Sequence, residues 1–214
     1  MLLSHTSGLG VHGFDDFLPG EAVPTLQQTL AGTAPAKNAA VRFKHAPGTT
    51  NDYSGGGYQV AQLVLETVAG APLDALARDT VFKPAGMARS TYASPLPAAY
   101  GNIAKAHDEN GRLIAAPRGW QTFPQAAAAG LWTSANDLGA FAGVLIRSYQ
   151  GKDAFLPRAV AVRMMTEVAP SGHGIGPRLS GEGTTRIFHH GGANDSYRAW
   201  IEGYLETGDG IAIL

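Results

Sequence analysis

The chain has 214 residues, with 16 Lys and Arg against 17 Asp and Glu, and 15% charged residues where about 25% is usual. A formal net charge of −1 with no basic patch argues against nucleic acid as a partner. The absence of cysteine excludes disulfides, thiolate metal sites and a cysteine nucleophile together.

The length suits one large domain with a real core. Twenty-eight glycines and thirteen prolines point to many turns rather than long helices. No apolar run approaches the ~18 residues of a membrane span, and the first residues lack the charged and apolar regions of a signal peptide.

Residues 1–20 read as a short helix end and then a loop punctuated by Gly8, Gly10, Gly13 and Gly20. Thr25 to Leu30 reads as a short helix, Lys37 to Pro47 as extended chain, and Pro47-Gly48 as a turn. The clearest helix runs from about Gly57 to Ala69. Val60, Leu63, Val64 and Val68 recur there at helical spacing, and Gly70 is placed to end it. A second helix starts at Pro72, carries Leu73, Leu76, Ala77 and Val81 on one face, and stops at Pro84 and Gly86. Met87 to Gly119 reads as loops with short strands. Ser134 opens a third helix with Asp137 three residues on, a capping-box pattern, and Leu138, Phe141, Ala142 and Leu145 form its buried stripe. Pro157 to Val168 reads as a fourth. Strands follow at Thr184–His190, Tyr197–Tyr204 and Gly210–Leu214, with Thr207-Gly208-Asp209-Gly210 as a hairpin turn. Helices followed by an antiparallel meander indicate an α+β fold.

Tyr53 sits before Ser54-Gly55-Gly56-Gly57, where glycines allow close backbone approach and an exposed phenol. A free phenol titrates near ~10, so a basic role at neutral pH requires nearby cations. A turn tyrosine that only packs its ring is the plainer alternative. His189 and His190 are adjacent on a strand and point to opposite faces, so one of them can enter a cleft. His190 is the better candidate, because Gly191-Gly192 leave the edge beside it bare, and the Ala193 N–H beyond them can face an oxyanion. The seven histidines are scattered along the chain and no H-e-x-x-H spacing occurs, so no metal site is expected. Neither a phosphate-binding loop nor a G-x-S-x-G elbow is present. Trp120, Phe123, Leu131 and Trp132 flank an alanine-rich stretch and serve either as an apolar substrate wall or as core.

Five landmarks occur in order: Leu2-Leu3-Ser4-His5-Thr6-Ser7-Gly8-Leu9, Tyr53-Ser54-Gly55 after Pro47-Gly48-Thr49, Phe82-Lys83-Pro84-Ala85-Gly86-Met87, Ala129-Gly130-Leu131-Trp132-Thr133-Ser134, and Phe188-His189-His190-Gly191-Gly192. Together they resemble the β-lactamase-related serine hydrolases, which include class C β-lactamases, DD-peptidases, D-aminopeptidases and related esterases. The resemblance covers nearly the whole chain. It implies a β-lactamase/transpeptidase-like fold, with an antiparallel sheet flanked by helices and a mostly helical subdomain, here incomplete. Residues 1–214 would form one partial domain, mostly helix and loop over 1–183 and antiparallel strands over 184–214. It also implies a mechanism in which a serine of an S-x-x-K motif is acylated by an ester, peptide or lactam substrate, without a cofactor. Tyr53 would be the base, its pKa lowered by neighbouring cations, and His190 would stand at the strand lysine or histidine. Ala193 N–H would be an oxyanion donor, beside Gly191, Gly192 and Trp132 on the substrate. A periplasmic or secreted location fits the resemblance.

The chain departs from the family pattern in four places. No serine is followed three residues later by lysine, so the nucleophile motif would precede Met1. Gly55 stands where Y-x-N has asparagine, histidine stands for lysine at 190, and Ser196 occupies a usual glycine position. The apolar strand ending at Leu214 suggests that the carboxyl end is cut short as well. The chain is therefore expected to be a fragment of a serine hydrolase, inactive alone. The alternative is a module of the same fold that binds ligand without turnover.

Overall fold

A computed structural model describes residues 1–18, 20–113, 122–194 and 197–214. Seven α-helices and a four-stranded antiparallel sheet occur among them: α1 (Leu26–Ala31), α2 (Gly55–Ala69), α3 (Leu73–Ala77), α4 (Lys83–Ala85), α5 (Ala126–Ala129), α6 (Ala135–Tyr149), α7 (Arg158–Met164), β1 (Arg178–Ser180), β2 (Ile187–Ala193), β3 (Arg198–Tyr204) and β4 (Gly210–Ile213). The strands lie in the order β1-β2-β3-β4. This is the α+β arrangement expected from helices preceding a meander.

Helix α6 is the pillar between the two halves. Ser134 caps it by accepting a hydrogen bond from Asp137 N–H at 3.2 Å. The reciprocal half of a capping box is replaced by a tertiary contact. Asp137 Oδ2 accepts instead from Arg89 N–H at 2.7 Å and from Ser90 Oγ at 2.8 Å, tying the helix start to the 89–90 loop. Ala142, Leu145 and Ile146 pack with Met165, Phe188 and Leu205, which fastens α6 to the sheet. Val144 turns the other way and joins Ala77, Phe82, Ala85 and Met87. No single helix among the described residues is long and apolar enough to cross a membrane.

Two helices differ from the sequence reading. The apolar stripe of α2 faces the core only in part: Val60 and Leu63 are half-buried but Val64 and Val68 are exposed, Val68 at 83%, while Gln59 and Gln62 are buried. The start of α2 decides its rotation. Gly55 and Gly56 N–H donate to the His12 and Val11 carbonyls, and a Cβ on Gly56 would lie 2.6 Å from the Gly10 carbonyl oxygen. The glycine face must therefore meet the 10–12 segment, and the glutamines follow it inward. The second predicted helix is three pieces, with a π-helical turn at Arg78–Phe82 between α3 and α4. That widened turn accommodates the extra residue needed to bury both Ala77 and Phe82.

The strands are close to their expected places. Thr184 and Thr185 form a 3₁₀ turn rather than the start of β2, and β1 was not foreseen because it is three residues long. Lys37 to Pro47 is irregular, with one isolated bridge between Leu9 and Phe43. The 207–210 turn closes the last hairpin with Gly208 at φ 94°.

Candidate active site

The loop before α2 and the middle of β2 meet. Ser54 is fully buried as the N-cap of α2. Its Oγ accepts from Gly57 N–H at 2.9 Å and donates to the Gly10 carbonyl at 2.7 Å. This bracing aims the preceding residue, Tyr53, at the sheet. Tyr53 Oη lies 3.3 Å from His190 Nε2, across 137 residues of sequence. The period of two along β2 puts Phe188 and His190 on one face and His189 on the other. Accordingly Phe188 is buried against α6, whereas His189 stacks on Trp200 at 5.3 Å and pairs with Ser180 Oγ.

The fold gathers further rings that linear spacing did not reveal. His5 stacks on Tyr53 at 4.0 Å between centroids, and His12 lies 4.8 Å from it. His173 meets His5 edge-on at 4.8 Å. The Arg178 guanidinium stands 5.8 Å over the Tyr53 ring. Histidines scattered over 185 positions thus converge on one phenol, although among the described residues no group of three or more His, Asp or Glu side chains is arranged to hold a metal ion.

The electrostatics follow from burial and the shared positive charge. Burial, then His173, His190, Arg178 and His12, lower the pKa of His5 to about 4. Burial and then Arg178 also hold His173 and His190 below the ordinary histidine value. At neutral pH these imidazoles are uncharged. The lowered Tyr53 pKa that the family mechanism implies is not reached in residues 1–214: burial pushes the phenol up, and Arg178 opposes this only in part. Tyr53 is a neutral phenol in this environment.

β1 pairs only with Ile187–His189, so His190, Gly191, Gly192 and Ala193 have β3 on one side and, among the described residues, no strand on the other. Gly191 and Gly192 are exposed along this open edge. Trp132 is placed at the far end of the same hairpin, where its ring meets Tyr197 edge-on at 5.6 Å and its backbone pairs with Thr91. Trp120 and Ser196 lie outside the described residues. A hollow of about 380 Å³ is lined by Met1, Leu2, Leu3, Ser4, Arg163, Val168 and Ile175, not by Tyr53 or His190. What marks the Tyr53–His190 region is its chemistry rather than its depth.

A family model described as Beta-lactamase matches residues 1–214. A search of curated proteins gave no match. Among solved structures, the fold is similar to an octameric penicillin-binding protein homologue from Pyrococcus abyssi, at 23% identity and TM-score 0.73, covering 99% of this chain and 50% of that one. It is similar to D-amino acid amidase from Ochrobactrum anthropi SV3, at 21% identity and TM-score 0.73, covering 99% of this chain and 61% of that one. It is also similar to a class C beta-lactamase, at 17% identity and TM-score 0.67, with 99% and 62% covered. The chain therefore spans between half and two thirds of the length of these proteins.

Proposed function

Because the chain belongs to the Beta-lactamase family, we propose that it carries the proton-handling and substrate-binding part of a serine-hydrolase site. The bond cleaved is an ester or an amide, in a peptide or lactam, and the route is an acyl-enzyme. The reading is carried by the 3.3 Å contact of Tyr53 Oη with His190 Nε2 beside the open edge of β2.

In this reading the neutral Tyr53 phenol passes its own proton to the leaving group as it takes up the proton of the attacking hydroxyl, and neutral His190 holds the phenol in line through Nε2. The substrate backbone lies along His190–Ala193, where Gly191 and Gly192 leave room and Ala193 N–H faces the developing oxyanion. Trp132 closes the far end as an apolar wall. Arg178 is the cation nearest the phenol, and it does not bring the Tyr53 pKa below its ordinary value. The nucleophile requires a Ser-x-x-Lys, which residues 1–214 do not contain. Residues 1–214 by themselves therefore bind substrate without being acylated, since removing the nucleophile leaves only binding and oxyanion effects.

Two measurements test this. Fluorescent penicillin and a fluorophosphonate should leave the 214-residue protein unmodified by mass spectrometry, and an adduct on any serine would overturn the missing-nucleophile reading. Titration with an N-acyl dipeptide should shift the amide resonances of Gly191–Ala193 and the Tyr53 ring; unchanged resonances there would overturn the substrate-edge reading. The raised pKa of Tyr53 favours a second reading, ligand binding without turnover. Coding sequence upstream of Met1 separates the two, an in-frame Ser-x-x-Lys supporting the hydrolase.

A further inference from the structure

We propose that His5 is the positioning residue for Tyr53, clamping the backbone on both sides of it and covering one face of its ring; this rests on reading Tyr53 as the proton-handling group. The clamp is made by one residue acting twice. The His5 carbonyl accepts from Asp52 N–H at 2.9 Å, and His5 Nδ1 accepts from Ser54 N–H at 3.0 Å. Tyr53 lies between these two amides, so its Cα is fixed from both flanks by a single partner. The imidazole then stacks on the phenol at 4.0 Å with its plane tilted by 26°, which limits ring rotation toward or away from His190.

Three features show that this geometry is imposed on His5. Its side chain is 1% exposed. Its backbone is left-handed, at φ 56° and ψ 29°, a conformation that residues other than glycine adopt uncommonly. That turn, directly after the 3₁₀ segment Leu2–Ser4, allows the carbonyl and the ring to reach the same loop. Accepting from Ser54 N–H also dictates the proton location: Nδ1 must be bare, so the neutral ring carries its hydrogen on Nε2. The groups facing the imidazole are His173, His190, Arg178, His12, Tyr53 and Tyr58, none of them an anion at neutral pH. With no counter-charge to hold a second proton, the ring stays neutral and the acceptor stays available. The low pKa of His5 agrees with this placement.

The test uses the 214-residue protein with ¹⁵N-labelled histidine and ring-labelled tyrosine. At neutral pH, His5 should show a bare Nδ1 and a protonated Nε2 in its nitrogen shifts. The reverse tautomer, or a protonated ring, would overturn the proposal without any substitution. His5→Phe keeps a stacked ring but removes the acceptor; His5→Asn places an oxygen near the Nδ1 position. The Phe variant should lose the hydrogen-bonded shift of Ser54 N–H and weaken the Tyr53–His190 contact, with His5→Asn restoring the Ser54 shift. Unchanged Ser54 and Tyr53 signals in His5→Phe would overturn it. Failure of dipeptide binding at Gly191–Ala193 would instead sink the hydrolase reading while leaving these His5 signals intact.

Discussion

Acidification from about pH 7.5 to about pH 5 should weaken the fold by roughly 2 kcal/mol through His5 alone. In the folded chain His5 titrates at about 4 rather than 6.5, chiefly because of burial and then because of His173, His190, Arg178 and His12. Between those values the unfolded chain binds a proton at His5 and the folded chain does not. Stability from this group is therefore full above 6.5 and is lost as pH falls through the window toward 4. At 1.36 kcal/mol per pKa unit the whole loss is about 3 kcal/mol, of which about 2 has gone by pH 5. With 1% of its surface exposed, the ring has little solvent to screen it. His173 and His190, also held low by burial first, act in the same direction. Asp79 and Asp153 are held below the ordinary value of 3.8, so their contributions survive until more acid conditions. Urea unfolding of the native protein and of His5→Phe across this range provides the assay. The native protein should lose stability on acidification, and the variant should lose about 2 kcal/mol less between the two pH values. Parallel pH profiles for the two proteins, or a flat native profile, would refute the reasoning.

Replacing Arg178 by glutamine removes a charge that lowers the pKa values of Tyr53, His173 and His190. All three should rise once the cation is gone, and an NMR titration that leaves all three unmoved would show that the guanidinium does not act on the site. A Cβ placed on Gly203 would overlap the Phe188 ring and stand 3.0 Å from Ile146 Cδ1. Gly203→Ala should therefore destabilise by about 2 kcal/mol and lower Tm by roughly 4–8 °C; calorimetry showing no loss would mean that the α6–sheet contact yields freely.

Features set by neighbours in sequence were legible before the structure. Ser134 ahead of Asp137 marked the start of α6 because capping is a contact between residues three apart. Thr207-Gly208-Asp209-Gly210 marked the last hairpin because a left-handed glycine is a local requirement. The opposition of His189 and His190 followed from the two-residue period of a strand. Tyr53 and His190 were singled out in sequence, but the 3.3 Å between them joins segments 137 residues apart.

Tertiary structure alone decided which face of α2 is buried. Periodicity selected Val64 and Val68, yet docking of Gly55 and Gly56 on the 10–12 segment turned the glutamines inward. It also decided the surroundings of Tyr53. His5, His12, His173 and Arg178 have no spacing in common; burial holds the His5 and His173 imidazoles below their ordinary value and the Tyr53 phenol above its own. By itself the sequence determined the α+β order, the turns and caps, and the family landmarks, because each depends on contacts within a few residues. The charge state of the site depends on groups brought together from distant segments and on the water they exclude, and only the folded chain specifies those.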